Sequence, residues 1–264
     1  MQHSRPPAVA GSFYPADATE LRQLIGEFLD AYPPAKPSPV NAVIAPHAGY
    51  IYSGLVAAAA YAAITPLSDQ LRRVALIGPA HRVRVRGIAI SSADTFLSPL
   101  GPVPLSAPAR DSLLEQPSIS VNDAAHEQEH SLEVHLPFLQ SVCSDFVLIP
   151  MVVGDASPLE VQNALAPFWD SPDTLIVVST DLSHFHDYET AKRIDAATIQ
   201  RIIALDYENI HAENACGCRP VNGLLHLLRE RKRGIRLLST ANSGDTRGPK
   251  DRVVGYGSFI SNGP

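Results

Sequence analysis

Leu175-Ile176-Val177-Val178-Ser179-Thr180-Asp181-Leu182-Ser183-His184 is an aliphatic run that gives way to hydroxyls, a carboxylate and an imidazole. Two other stretches repeat the arrangement. Ala42-Val43-Ile44-Ala45 precedes Pro46-His47-Ala48-Gly49-Tyr50, and Val74-Ala75-Leu76-Ile77 precedes Gly78-Pro79-Ala80-His81. A strand buried on both faces reads as a near-continuous aliphatic run, as in parallel sheets. In open α/β sheets, ligands bind just beyond the carboxyl ends of such strands. Three runs of this kind deliver imidazoles to one sheet edge, where they can converge on one metal ion or one substrate.

Outward from these runs, helical patterns alternate with strands. Residues 18–31 carry Leu21, Leu24, Ile25, Phe28 and Leu29 on one stripe of an amphipathic helix. Residues 32–39 hold four prolines and read as a linker. Residues 54–64 are alanine-rich, suited to a helix lying close on a sheet. Residues 87–91 read as a strand, 96–108 as a proline-rich surface wrap, and 109–115 as a short helix. Residues 131–142 read as a firmer helix with Ser131 as its cap, and 146–153 as a buried strand. Ser157-Pro158 opens a helix to about Phe168, with proline at its first position. A long helix spans 188–205, capped by Asp187, and another starts near Pro220. Strands at 235–240 and 253–261 close the chain. The alternation specifies a three-layer α/β/α sandwich with a mostly parallel central sheet, a single domain over residues 1–264.

Hydrophobic residues make up 45% of the 264 and charged residues 18%, enough apolar material for a sizeable core. Lys+Arg total 21 against 27 Asp+Glu, a net charge of -6 that argues against a nucleic-acid partner. The local basic group Arg82, Arg84 and Arg86 reads as a solvated face. No long uninterrupted apolar run suggests a membrane span, and residues 1–7 lack the build of a signal peptide. Three cysteines, Cys143, Cys216 and Cys218, suggest reduced thiols and a cytoplasmic location.

His47 and His81 each follow a strand beside a proline and a small residue, so they form half of a metal site or fasten their loops. Two residues separate Asp181 and His184 in the third turn. The carboxylate can orient the ring as an acid–base pair, both can face the same pocket, or the carboxylate can cap the turn. Within 125–135, rich in His and Glu, His130 is assigned to the pocket wall; His126 and His135 are assigned to surface or packing. Cys216, just before a helix, has the position of a thiol with a depressed pKa. With two imidazoles it would make a His₂Cys set suited to zinc, iron or copper. Cys143 reads as a buried, inert thiol.

At these residues the chain resembles the Memo family, the AmmeMemoRadiSam system protein B group. The likeness runs nearly end to end. It includes Arg5-Pro6-Pro7-Ala8-Val9-Ala10-Gly11-Ser12-Phe13-Tyr14-Pro15, the turns bearing His47 and His81, Glu129-His130-Ser131-Leu132-Glu133, Ser179–His184 and Cys216-Gly217. The resemblance implies a LigB-like fold, that of the class III extradiol dioxygenases. It implies metal ligands at His47, His81 and Cys216, with cysteine where those dioxygenases have a glutamate, and iron(II) or copper as the ion, with zinc a third candidate. His184, Asp181 and His130 fall at the active-site wall. Arg219 stands where the family carries a histidine. Two functions follow as expectations: a metal-dependent oxidoreductase acting on a small molecule, or a non-catalytic module that binds a small ligand, peptide or protein in the same pocket. Family association adds radical-SAM and AMMECR-type proteins as expected partners.

Overall fold

A computed structural model of the chain describes residues 3–33 and 39–261. Most of the expected linker at 32–39, and the first two residues of the chain, lie outside the described residues. The first half contains β1 (Ser4–Arg5), α1 (Ala18–Asp30), β2 (Ala42–Ala45), α2 (Tyr50–Ile64), β3 (Arg73–Pro79), β4 (Ile88–Ile90), β5 (Thr95–Ser98), β6 (Gly101–Pro104), α3 (Ala107–Leu113), β7 (Ile119–Val121) and α4 (Asp123–Glu127). The second half contains α5 (His130–Glu133), α6 (Leu136–Val142), β8 (Val147–Val153), α7 (Pro158–Trp169), β9 (Thr174–Ser179), β10 (His184–His186), α8 (Tyr188–Ile203), α9 (Cys218–Glu230), β11 (Ile235–Asn242) and β12 (Val253–Ser261).

The quoted aliphatic runs are the heart of the larger sheet. Strands β2, β9, β3 and β8 lie side by side and parallel. At one margin β12 pairs antiparallel with β2, β10 and β11; at the other, β4 is antiparallel to β8 and parallel to β7. The expected parallel sheet thus occupies the centre, with antiparallel margins. β11 and β12 can pair antiparallel because they follow each other through a short connection; parallel neighbours need a crossover.

Successive side chains on a strand point to opposite faces, and here both faces are covered. Val43, Ala45, Val74, Leu76, Leu175 and Val177 pack with Leu21 and Ile25 of α1, Tyr61 of α2 and Phe138 of α6. Their neighbours Ala42, Ile44, Ala75, Ile77, Ile176 and Val178 pack with Leu165 of α7, Ile202 of α8 and Leu224 of α9. The three layers follow directly. Helix starts obey their local chemistry. The Asp17 carboxylate accepts from the Thr19 and Glu20 N–H groups, Ser157 and Glu160 form a capping box, and Asp187 caps α8.

Three expectations change. Residues 96–108 do not simply wrap the surface: β5 and β6 form a hairpin that joins β1 in a second, three-stranded sheet. The helix expected over 131–142 is two helices, because Pro137 has no N–H and its ring would clash with the carbonyl of Glu133, four residues earlier. Glu129, not Ser131, caps the first of them, accepting from the Ser131 N–H at 3.0 Å. Tyr50–Leu67 is also long and apolar enough in composition to cross a membrane, yet Val56, Ala58, Ala60 and Tyr61 are buried and α2 packs on β12, β11, α1 and α6. Here it serves as a core helix.

Candidate metal centre

His47 lies two residues past the end of β2 and His81 two past β3, while Asp181 lies two past β9. These strands are adjacent and parallel, so their carboxyl ends form one edge. Cys216 comes from the turn before α9. Gly217 draws that turn against β9: its N–H donates to Thr180 Oγ1 at 2.9 Å, and the Asp181 N–H donates to Cys216 Sγ at 3.3 Å. A Cβ on Gly217 would lie 2.5 Å from the Ser179 carbonyl oxygen and 2.7 Å from Thr180 Cβ. Only a residue without a side chain allows this approach.

The result is a compact donor set. One ligand atom each from His47, His81 and Cys216 lie within 4.8 Å of one another, and His47 Nε2 is 3.3 Å from Cys216 Sγ. The rings of His47 and His81 meet edge to face, with centroids 5.1 Å apart. Both are held by the far nitrogen. His47 Nδ1 is 2.6 Å from Ser179 Oγ, and His81 Nδ1 is 2.9 Å from Glu129 Oε1. Glu129 Oε2 also accepts from the His81 backbone N–H at 2.6 Å. Anchoring Nδ1 on an outer-layer group aims Nε2 inward, the usual support of a metal-ligating histidine.

Burial sets the charge states. Burial, then the neighbouring His81, lowers His47 well below the ordinary imidazole range, so its ring favours the neutral form. Burial and then Asp181 push the Cys216 thiol up, not down as its position before a helix suggests. Cys216 is therefore held as a thiol, and a cation taken up here would have to displace its proton. Burial alone would raise Glu129, but the hydrogen bonds from His81 and Ser131 outweigh it and hold the carboxyl at about 2.

The other expected residues surround this set. Asp181 is fully enclosed and raised to about 7 by burial, against the backbone hydrogen bond from His47. Its Oδ1 accepts the His47 N–H at 2.8 Å, and Oδ2 is 3.9 Å from His47 Nε2. It does not orient His184. That ring donates from Nδ1 to the Leu182 carbonyl at 2.8 Å, because a carboxylate two residues past β9 faces the β2 turn. Burial lowers the half-buried His184 as well. His130 stacks on His81 with centroids 4.7 Å apart and stands 5.4 Å from the His47 ring. His126 and His135 are both buried.

His81, Glu129 and His130 make a second close group. Glu129 already accepts three N–H groups, from His81 twice and from Ser131, so it belongs to the outer layer and not to a ligand set. Glu129 and Ser179 are the residues that sequence reasoning missed. For Ser179 a signal existed, since a hydroxyl closing an otherwise aliphatic buried strand needs partners. For Glu129 there was none beyond its place in a polar stretch.

A cleft of about 470 Å³ opens beside Cys216, with Val83, Val153, Arg84, Asp155, Cys218 and Arg219 among its walls. Arg219 is tied down, Nη2 to Asp155 at 2.8 Å and Nη1 to the Ala156 carbonyl at 2.9 Å. Cys143 is buried and its thiol pushed up to about 12 by burial, an inert packing group. Arg82, Arg84 and Arg86 are exposed.

Comparison with known proteins places the chain in a family. A family profile described as Memo-like protein matches residues 5–260. A MEMO1 family protein of Thermotoga petrophila is 36% identical over 276 residues, covering 97% of this chain and 99% of its own. Those of Thermoplasma volcanium and Aquifex aeolicus are 32% and 34% identical over 268 residues, each covering 97% of this chain and 98% of its own. The chain therefore belongs to the Memo-like protein family.

Proposed function

We propose that this protein binds a transition metal ion through His47, His81 and Cys216, and that it is an oxidoreductase acting on a small molecule. The observation that carries the reading is the approach of His47 Nε2 to Cys216 Sγ at 3.3 Å, with His81 in the same cluster and each ring anchored through Nδ1. Iron(II) or copper fits the proposed chemistry. A mixed imidazole and thiolate set is softer than a carboxylate site and also accepts zinc. When bound, such an ion supplies Lewis acidity and, if redox-active, electron transfer.

The chain's own groups have distinct parts in this proposal. Asp181 holds the His47 backbone and adds charge near the cation. His184 keeps its proton on Nδ1 through Leu182, leaving Nε2 as a proton acceptor when the ring is neutral. His130 closes the side of the pocket next to His81. The cleft beside Cys216 is the approach for the small molecule.

The test is anaerobic purification with metal analysis, followed by oxygen uptake across candidate small molecules. Bound iron or copper in wild type, lost in His47→Ala and Cys216→Ala, together with substrate-dependent oxygen uptake, supports the reading. Equal metal in wild type and both variants rejects it. Metal binding without turnover assigns the pocket to ligand or partner binding instead.

A further inference from the structure

We infer that Ser179 is a positioning residue: its hydroxyl fixes the proton of His47 on Nδ1, so that Nε2 faces the metal position as a lone pair before any ion arrives. The inference deepens the proposed metal site and rests on it.

Ser179 Oγ has three close partners: the Ser131 carbonyl oxygen at 2.6 Å, His47 Nδ1 at 2.6 Å and His135 Nε2 at 2.9 Å. A hydroxyl has one proton to give and two lone pairs to receive. The carbonyl has no proton, so it must take the hydroxyl's. Any other choice would press two acceptor oxygens together at 2.6 Å with nothing between them. Both ring nitrogens must then be N–H groups. His47 carries its proton on Nδ1, and His135 carries one on Nε2.

The chain closes without contradiction at its far end. A neutral His135 with its proton on Nε2 has a lone pair on Nδ1, and Tyr61 stands there with its hydroxyl 2.7 Å away. That hydroxyl donates inward. At the near end, a neutral His47 with its proton on Nδ1 offers a lone pair at Nε2, and the Cys216 thiol, 3.3 Å away, can donate its S–H to it. One assignment satisfies Tyr61, His135, Ser179, Ser131, His47 and Cys216 together. The reverse tautomer at His47 would set an N–H against the thiol and leave two lone pairs facing each other at Ser179, in a fully buried site where an unmet polar group is costly.

His81 and His184 reach the same state by simpler means. Each gives its Nδ1 proton to a group that can only accept, the ionised Glu129 or the Leu182 carbonyl. His47 alone depends on a hydroxyl, which could in principle face either way. Its orientation is decided by Ser131, at the start of α5.

The experiment uses the metal-free full-length protein labelled with ¹⁵N-histidine. Two-bond ¹H–¹⁵N correlation spectra read which nitrogen carries the proton. The expected result is Nδ1–H at His47 and Nε2–H at His135. Ser179→Ala should mix the His47 tautomers and weaken Zn(II) binding by about 10-fold or more; Ser179→Thr, which restores the hydroxyl, should recover the wild-type tautomer. Nε2–H at His47 in wild type overturns the inference, and so does an Ser179→Ala variant that keeps the wild-type tautomer and affinity. If Ser179→Ala does not fold, the wild-type spectrum still decides. A wild type with Nδ1–H at His47 but no affinity for Zn(II), Fe(II) or Cu(II) would instead defeat the metal site and leave the proton assignment standing.

Discussion

His47 Nε2 and Cys216 Sγ stand 3.3 Å apart across 169 residues of chain. Two such atoms bound to one tetrahedral ion, at about 2.0 Å for nitrogen and 2.3 Å for sulfur, would be roughly 3.5 Å apart. Little movement is needed to seat a cation between them. Removing either donor should therefore abolish tight binding without unfolding the sheet edge. At a metal concentration of about 100 times the wild-type Kd, the ion adds about 2.7 kcal/mol to wild-type stability. His47→Ala and Cys216→Ser should lose that increment, measured as the shift in urea midpoint on adding Zn(II). A full increment in either variant would place the ion elsewhere.

Proton release gives a second measurement. Burial and Asp181 push the Cys216 thiol up, so near neutral pH the metal must displace its proton. Affinity for Zn(II) should rise at least about tenfold per pH unit between pH 6 and 8. Asp181, raised by burial to about 7, works in the same direction, because it gains negative charge over this range. Calorimetry in buffers of different ionisation enthalpy counts the protons directly. A count of zero would mean that the thiol is not a ligand.

Glu129 should matter to metal binding although it touches no ion. Its two oxygens accept the backbone and Nδ1 protons of His81 at 2.6 and 2.9 Å. In Glu129→Gln one of those acceptors becomes an NH₂ group facing an N–H. Metal affinity should fall about 10- to 100-fold, with the ligand set intact. Competition titration against a chromophoric chelator measures it, and unchanged affinity would remove Glu129 from the site.

The strands and their order of chemistry were legible in the sequence because a buried parallel strand has no polar positions to disguise it. His47, His81 and Asp181 could be placed at one edge for that reason alone. Cys216 could not; nothing in its spacing says that the turn before α9 folds back onto β9, and the family resemblance supplied it. The pairing of Asp181 with His184 does not form, because sequence distance is blind to which neighbouring turn the side chain faces. Glu129 stayed hidden since its partner lies 48 residues earlier, across the sheet edge. The break in residues 131–142 was readable from Pro137, but the apolar run concealed it.

Burial of His126 should make the stability of the metal-free fold depend on pH. His126 is lowered to about 4, chiefly by burial, and its Nε2 stands 3.1 Å from the Ala89 carbonyl. Below about 6.5 the unfolded chain binds a proton that the folded chain refuses, so this group's contribution is present above that pH and is lost as pH falls toward 4. Between pH 7 and 5 the loss is about 2 kcal/mol for this residue. His126→Gln keeps a donor for Ala89 and cannot titrate. Its stability should change less than wild type over that interval, by about that amount, in urea titrations at both pH values. Parallel curves would show that His126 does not titrate differently on folding.

Gly217 offers the sharpest separation of space from backbone freedom. Its φ of -91° is open to any residue, so alanine meets no conformational penalty there. What alanine meets is the Ser179 carbonyl at 2.5 Å and Thr180 Cβ at 2.7 Å. The turn must retreat from β9 and carry Cys216 with it. Gly217→Ala should cost about 1–3 kcal/mol, as overpacking does, and should also weaken the thiolate-to-metal absorption of the Co(II)-loaded protein. Gly26→Ala in α1 supplies the contrast, since a Cβ there has nothing within 4 Å. It should stabilise by about 0.5–1 kcal/mol through helix propensity and leave the Co(II) spectrum as it was. If Gly217→Ala kept both its stability and its Co(II) absorption, the close approach of the Cys216 turn to β9 would not be what holds the sulfur in place.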